Sequence, residues 1–331
     1  MWLAELLNRL FALLCKVSLL MATLQECREK LTAIWHCDAS LLPPLAEPPP
    51  GPLKAEEHPA MIAARKRLAS PQRTYELTAK LAAGDLCDVH LATDHAERYV
   101  IKAPRLANPA ADALLDQEMR VLQCLTEADT QYAPYFPAPV ETFLLDKRGP
   151  RYNVFQWEDG LFTASEIAVR YPQGLDGHHL AWMFKRMLAA LGYIHRQGWV
   201  HGAVLPPHLL FHAENHGLRL AGWIHAVPLG QPLTVVPAEF KAWYPPEARQ
   251  GAVAATDIYL AARSLVYLAG GLPQSGRPPS AVPAPLWRFV QACLLESPRM
   301  RPHDAGSVHD EFDDLLHDLY GPPQYVQLAL S

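Results

Sequence analysis

The chain has 331 residues, of which half are apolar and 19% charged, so it is not disordered throughout and can bury a sizeable core. A formal net charge of -5 with no long Lys/Arg run argues against duplex nucleic acid as a partner. Six scattered cysteines (Cys15, Cys27, Cys37, Cys87, Cys124 and Cys293) form no CxxC pair, which argues against a disulfide framework or zinc ribbon and for a reducing, cytoplasmic setting.

The first segment, 1–42, opens on an apolar run, but Arg9 and Lys16 interrupt it before the roughly 20 clean residues a membrane span needs. Glu5 precedes the run and no small-residue cleavage site follows, against a secretory signal. Leu3, Leu7, Leu10, Leu14, Val17, Met21, Leu24, Leu31 and Trp35 recur in steps of four and three, broken at Arg28, which predicts one apolar stripe on a helix. Two readings stand: a partner-docking or coiled-coil helix, or a helix folded back on its own domain. Translation beginning at Met21 would still leave an amphipathic helix. Cys27, His36 and Cys37 lack a fourth metal ligand and are read as free side chains.

Seven prolines between 43 and 59 leave little to bury, so 43–70 is read as an extended linker and a domain boundary. "RTYELTAKLAAGDLCDVHLATD" and "RYVIKA" then predict strand, glycine turn, strand, strand, with the turn at Ala82–Asp85 and Lys102 on the last strand. "DALLDQEMRVLQCL" has a helical period, with Leu114, Leu115, Met119 and Leu122 near one face and Glu118 beside it, so Lys102 and Glu118 are placed to pair. "HHLAWMFKRMLAALGYIHRQG" predicts a long helix, and "HDEFDDLLHDLY" a last helix with Phe312, Leu315, Leu316 and Leu319 inward. Residues 321–331 are a tail without an assigned partner.

From 75 to 318 the chain resembles the protein kinase fold. Ala82, Gly84, Cys87 and Val89 stand where kinases have the G-x-G-x-x-G-x-V loop, so one glycine of three remains. Lys102 in "YVIKA" is similar to the phosphate-contacting lysine and Glu118 to its helix partner. "VHGAVLPPHLLF" resembles the catalytic loop through His201, Pro206, Leu209 and Leu210. The base aspartate, however, is replaced by Ala203 and the metal-binding asparagine by His208. "LRLAGWIHAV" sits where D-F-G is expected, with Gly222 at the aspartate and Trp223 at the phenylalanine. Alanine accepts no proton, removing a contribution of about 10²–10⁴ in rate. No carboxylate or amide remains at these positions to hold magnesium; His208, or Asp85 and Asp88 of the loop, stay open as a substitute base or ligand, but imidazole is a poor magnesium ligand because that ion prefers oxygen.

Structural residues of the family are kept: "AWYPPEAR" carries Glu247, "ATDIYLAARSL" carries Asp257 and "SPRMRP" carries Arg301, while His201 and Trp223 match family core positions. The resemblance implies an α+β, two-lobed kinase-like fold, with a β-rich N-lobe over 71–160 and a mainly helical C-lobe over 161–320. It implies a pseudokinase that binds or scaffolds a protein partner through the N-terminal helix. No cofactor is required; ATP is left open as a ligand at Gly84, Val89, Lys102 and Glu118, and magnesium is not expected. The phrasing of 171–210 also resembles bacterial kinase-like domains found with chaperone J domains, which makes a chaperone-system partner an expectation, although His58-Pro59-Ala60 is not the HPD tripeptide. Two other readings stay open: an atypical ATP-dependent phosphotransferase using the same cleft, and a structural subunit whose pocket is filled by Leu205, Trp223 or Cys87. His208, His212 and His216 are spaced by four, but the resemblance puts them on a loop, a strand and a turn rather than one helix face.

Overall fold

Alternating buried and exposed positions after the linker build an antiparallel sheet. The computed structural model describes residues 67–84, 86–105, 109–145, 149–273 and 282–330. The expectations for 1–42, for the linker up to residue 66, for Asp85 and for the thiols Cys15, Cys27 and Cys37 lie outside the described residues.

Six strands form the main sheet: β1 (Arg67–Ala69), β2 (Thr74–Ala83), β3 (Cys87–Asp94), β4 (Glu97–Pro104), β5 (Pro139–Leu144) and β6 (Arg151–Gln156), in the order β1-β2-β3-β4-β6-β5. All neighbours are antiparallel, and two register shifts between β2 and β3 curl the sheet. Strand β1 corrects the linker boundary, since its three residues fall in the span read as linker. Leu68 opposite Tyr75 is 2% exposed, and burying that one side chain ties the segment to the sheet edge. One face of the sheet is closed by Tyr75, Tyr99, Ile101, Phe143, Tyr152 and Val154, with Tyr75 edge-on to Tyr99 at 5.2 Å between ring centroids. Helix α1 (Pro109–Ala128) buries Leu115, Met119 and Leu122, the face its period predicts.

The remainder is mainly helical: α2 (Ala164–Arg170), α3 (Gly177–Arg196), α4 (Ala254–Leu268), α5 (Ala284–Cys293) and α6 (Ala305–Tyr320). Asp176 caps α3 by accepting from the His178 and His179 amides, and Asp304 caps α6 from those of Gly306 and Ser307. Helices α3 and α6 meet through Phe184 and Phe312, both fully buried; Leu315, Leu316 and Leu319, expected inward with Phe312, are half-buried at the margin of the same core. Two small sheets, β7 (Leu161–Thr163) with β9 (Leu209–His212) and β10 (Leu218–Leu220), and β8 (Trp199–Val200) with β11 (Val227–Pro228), hold the loops between α3 and α4. The architecture is mixed α/β, with six α-helices among the described residues. No helix among these residues is long and apolar enough to cross a membrane.

Candidate functional site

Strand β4 presents Lys102 toward α1, where its ammonium is ion-paired with Glu118 and lies 5.6 Å from the Phe155 ring centroid. The Glu118 side chain is 1% exposed and that of Lys102 13%. Two charges so buried persist only when their other hydrogen-bonding atoms are also met. Asn153 on β6 does this: its amide donates to Glu118 Oε2 at 3.0 Å and to the Leu115 carbonyl at 2.8 Å, and its Oδ1 accepts from Thr142 at 2.8 Å. Asn153 thereby locks α1 to the sheet. Sequence reading missed it; the only signal was a polar residue inside the buried run 152–155.

The glycine turn is closed on itself. The Gly84 amide donates to the Cys87 carbonyl at 2.9 Å, and Arg105 ties the turn to β4 by donating its backbone amide to the Leu86 carbonyl and its guanidinium to the Gly84 carbonyl. A Cβ on Gly84 would come within 2.9 Å of the Cys87 oxygen, so glycine suits the turn for packing alone. Beyond it, Leu86 and Cys87 pack with Leu114 and Leu115 of α1 and with Ile224, two residues past Gly222. Burial pushes the Cys87 thiol up to about 11. Val89, paired with Lys102 across β3 and β4, is half-buried. The Asp88 carboxylate is engaged by Lys80 at 2.7 Å and Arg105 at 3.7 Å.

The loop between β8 and β9 holds the remaining predicted positions. Asp257, at 0% exposure in α4, accepts from the His201 amide and the Gly202 amide at 2.8 Å each and from His195 Nε2 at 3.0 Å. His201 donates from Nε2 to the Ala221 carbonyl at 2.9 Å and accepts the Ala203 amide on Nδ1, edge-on to Trp223 at 4.8 Å. Trp223 donates to the Leu220 carbonyl and is itself fully buried. These residues form a hydrogen-bonded polar core, with His195 Nδ1 left without a partner, under a loop whose next side chain, Ala203, can neither donate nor accept.

His208 turns inward and donates from Nδ1 to the Ala203 carbonyl at 2.9 Å. Its ring lies against Gly222, where an added Cβ would stand 2.7 Å from the ring, and Gly222 has φ of +88°, a backbone conformation that favours glycine. The two substitutions are therefore one steric arrangement: imidazole fills the space that a side chain at 222 would need. His225, 5.5 Å from His208 between ring centroids, donates to the Val235 carbonyl. Burial is the first cause of depressed basicity in all three: His201 falls well below the usual imidazole range, His208 to about 4 and His225 to about 3, with Lys102 nearby opposing a further positive charge. They are neutral near pH 7. His225 was not singled out from sequence, where no motif marks it.

Arg301 meets Glu247 at 2.6 Å with a side chain at 0% exposure, donates to the carbonyls of Ala255 and Glu296, and lies 4.8 Å from the Tyr259 ring. His212 and His216 diverge from His208, accepting the Glu214 amide and donating to the Val326 carbonyl respectively. Among the described residues no group of three His, Cys, Asp or Glu side chains could hold a metal ion. A cavity of about 460 Å³, lined in part by Tyr132, Tyr135, Arg186 and Arg219, does not include Lys102.

The sheet with α1 across it, followed by the helical remainder, defines a kinase-like fold. The crystal structure of the PF14_0431 kinase domain is similar to this chain with a TM-score of 0.59 and 13% identity, over 75% of this chain and 97% of that one. No protein-family model matches the chain, and no curated protein matches it.

Proposed function

We propose that the chain is a pseudokinase: a two-lobed, kinase-like domain that does not transfer phosphate and instead serves as a binding or scaffold module. The observation that carries this reading is the fit of the His208 ring against Gly222, which puts a ring and a glycine where a kinase needs an amide and a carboxylate. Ala203 beside them offers no general base. Neutral histidines are poor magnesium ligands, so phosphoryl charge would go unneutralised. The retained groups, Lys102 with Glu118, Asp257 under the loop and Glu247 with Arg301, are those that hold the fold.

The apolar contact of Cys87 with Leu115 and Ile224 supports a cleft filled by side chains rather than by nucleotide, so ATP is a weak ligand in this reading and magnesium does not improve it. A protein partner is then what the module holds, with the N-terminal segment as its candidate docking element and a chaperone system as one source of partners. The test has two parts. Radiolabelled ATP with generic protein substrates is expected to give no incorporation above a Lys102→Ala control, and a thermal-shift titration with ATP and magnesium no protection beyond ATP alone. Magnesium-dependent incorporation that Lys102→Ala abolishes would overturn the reading in favour of an atypical phosphotransferase.

A further inference from the structure

The segment after α6, read from sequence as a tail without a partner, is seated in a groove. Tyr325 stacks on His216 at 4.6 Å between ring centroids, and His216 stacks on Trp182 of α3 at 4.1 Å with planes 2° apart. Past this ring stack burial alternates along the segment, with Leu328 and Leu330 buried (2% and 9% exposed) and Gln327 and Ala329 outward. The groove addresses its main chain: His216 Nε2 donates to the Val326 carbonyl at 2.8 Å, His179 Nε2 faces the Gln327 carbonyl at 3.3 Å, and the Tyr171 hydroxyl donates to the Ala329 carbonyl at 2.9 Å. Main-chain hydrogen bonds with pockets for alternate side chains are the physics by which domains take extended peptides.

The connection to α6 is exposed beyond the Gly321 amide, which donates to the His317 carbonyl at 2.9 Å. Pro322, Pro323 and Gln324 are exposed, and a Cβ on Gly321 would meet nothing within 4 Å. The Tyr325 hydroxyl donates to the Glu214 carbonyl at 2.8 Å, and the remaining donors reach main-chain carbonyls, so the groove selects a tyrosine and two leucines in the pattern Tyr-x-x-Leu-x-Leu. We infer that the groove formed by Tyr171, His179, Trp182 and His216 is a peptide-docking surface for a partner segment of that pattern, with residues 325–330 as its built-in competitor.

This inference deepens the binding-module reading by naming a second surface, and none of its residues belongs to the cleft around Lys102. The competition has a size. A short linker gives an effective concentration on the order of 1 mM, so a segment that as a free peptide binds with Kd about 10 µM keeps the groove closed about 100:1 and weakens an added peptide about 100-fold.

The experiment uses the full chain and a fluorescent peptide with the sequence of residues 321–330. Leu328→Asp with Leu330→Asp, which frees the groove in place, is expected to bind the peptide at least tenfold more tightly than wild type, and a peptide carrying the same two changes is expected not to bind. If the variant keeps its circular dichroism and gains no affinity, the inference fails. As a second measurement, a protease site placed between Gly321 and Tyr325 is cut in the folded chain. Replacement of the severed segment by labelled peptide supports the inference. Unfolding of the nicked chain, or a segment that does not exchange, makes 325–330 an integral part of the core and overturns it. Pairing of two copies by mutual exchange of the segment, seen as a dimer in size-exclusion chromatography without capture of free peptide, also overturns it. ATP titrations are independent of all these outcomes.

Discussion

Gly222→Ala probes the steric pairing on which the functional reading rests. A non-glycine residue at φ of +88° costs about 1–2 kcal/mol. The new Cβ would also stand 2.7 Å from a His208 ring that is buried and tied to the Ala203 carbonyl, and such overpacking costs about 1–3 kcal/mol. The expected loss is therefore about 2–5 kcal/mol. In a His208→Ala background the ring is gone and only the backbone cost, about 1–2 kcal/mol, remains. His208→Ala by itself orphans little, because the Ala203 carbonyl still accepts from the Leu205 amide at 2.8 Å. Urea unfolding of the four proteins at pH 7.5, followed by circular dichroism and tryptophan fluorescence with m-values compared, closes the double-mutant cycle. A coupling energy of about 1–3 kcal/mol is expected, with the double mutant more stable than the sum of the singles implies. A coupling below about 0.5 kcal/mol would mean that ring and glycine are independent, and the steric account of the His208–Gly222 pair would fail.

Acid should destabilise the fold through the same histidines. His208 is depressed from 6.5 to about 4, so its contribution is fully present above pH 6.5 and is lost as pH falls toward 4; at about 1.4 kcal/mol per unit this is roughly 3 kcal/mol. His201 and His225 act in the same direction, so His208→Asn should flatten the pH dependence of urea stability between 6.5 and 4 without abolishing it; an unchanged slope would contradict the assignment. Glu247→Ala leaves Arg301 buried without its partner and should cost about 3–5 kcal/mol in the same assay, whereas a loss under 1 kcal/mol would show the pair to be dispensable. Cys87, buried against α1 with its thiol pushed up to about 11, should react with iodoacetamide at pH 8 far more slowly than exposed Cys124, as read by peptide mass spectrometry. Equal rates would mean an open cleft.

Strands β2, β3 and β4, helices α3 and α6 and the inward face of α1 follow from periodicities of two and 3.6, and the turn at Gly84 from a small, turn-prone stretch, all local and therefore visible along the chain. Lys102 with Glu118 was foreseeable because strand and helix are consecutive. Glu247 with Arg301 was suggested only by resemblance, since 54 residues separate them. No local pattern foretold that Asn153 would hold Glu118, that His225 would approach His208, or that residues 325–330 would lie along α3. Which side chains stand at these three positions was decided by the sequence alone: Ala203 and Gly222 bring no carboxylate and His208 no side-chain oxygen, whatever the conformation. How they pack was decided by tertiary structure, because only the folded chain, with Gly222 at a positive φ, brings the His208 imidazole into the space that a side chain at 222 would need.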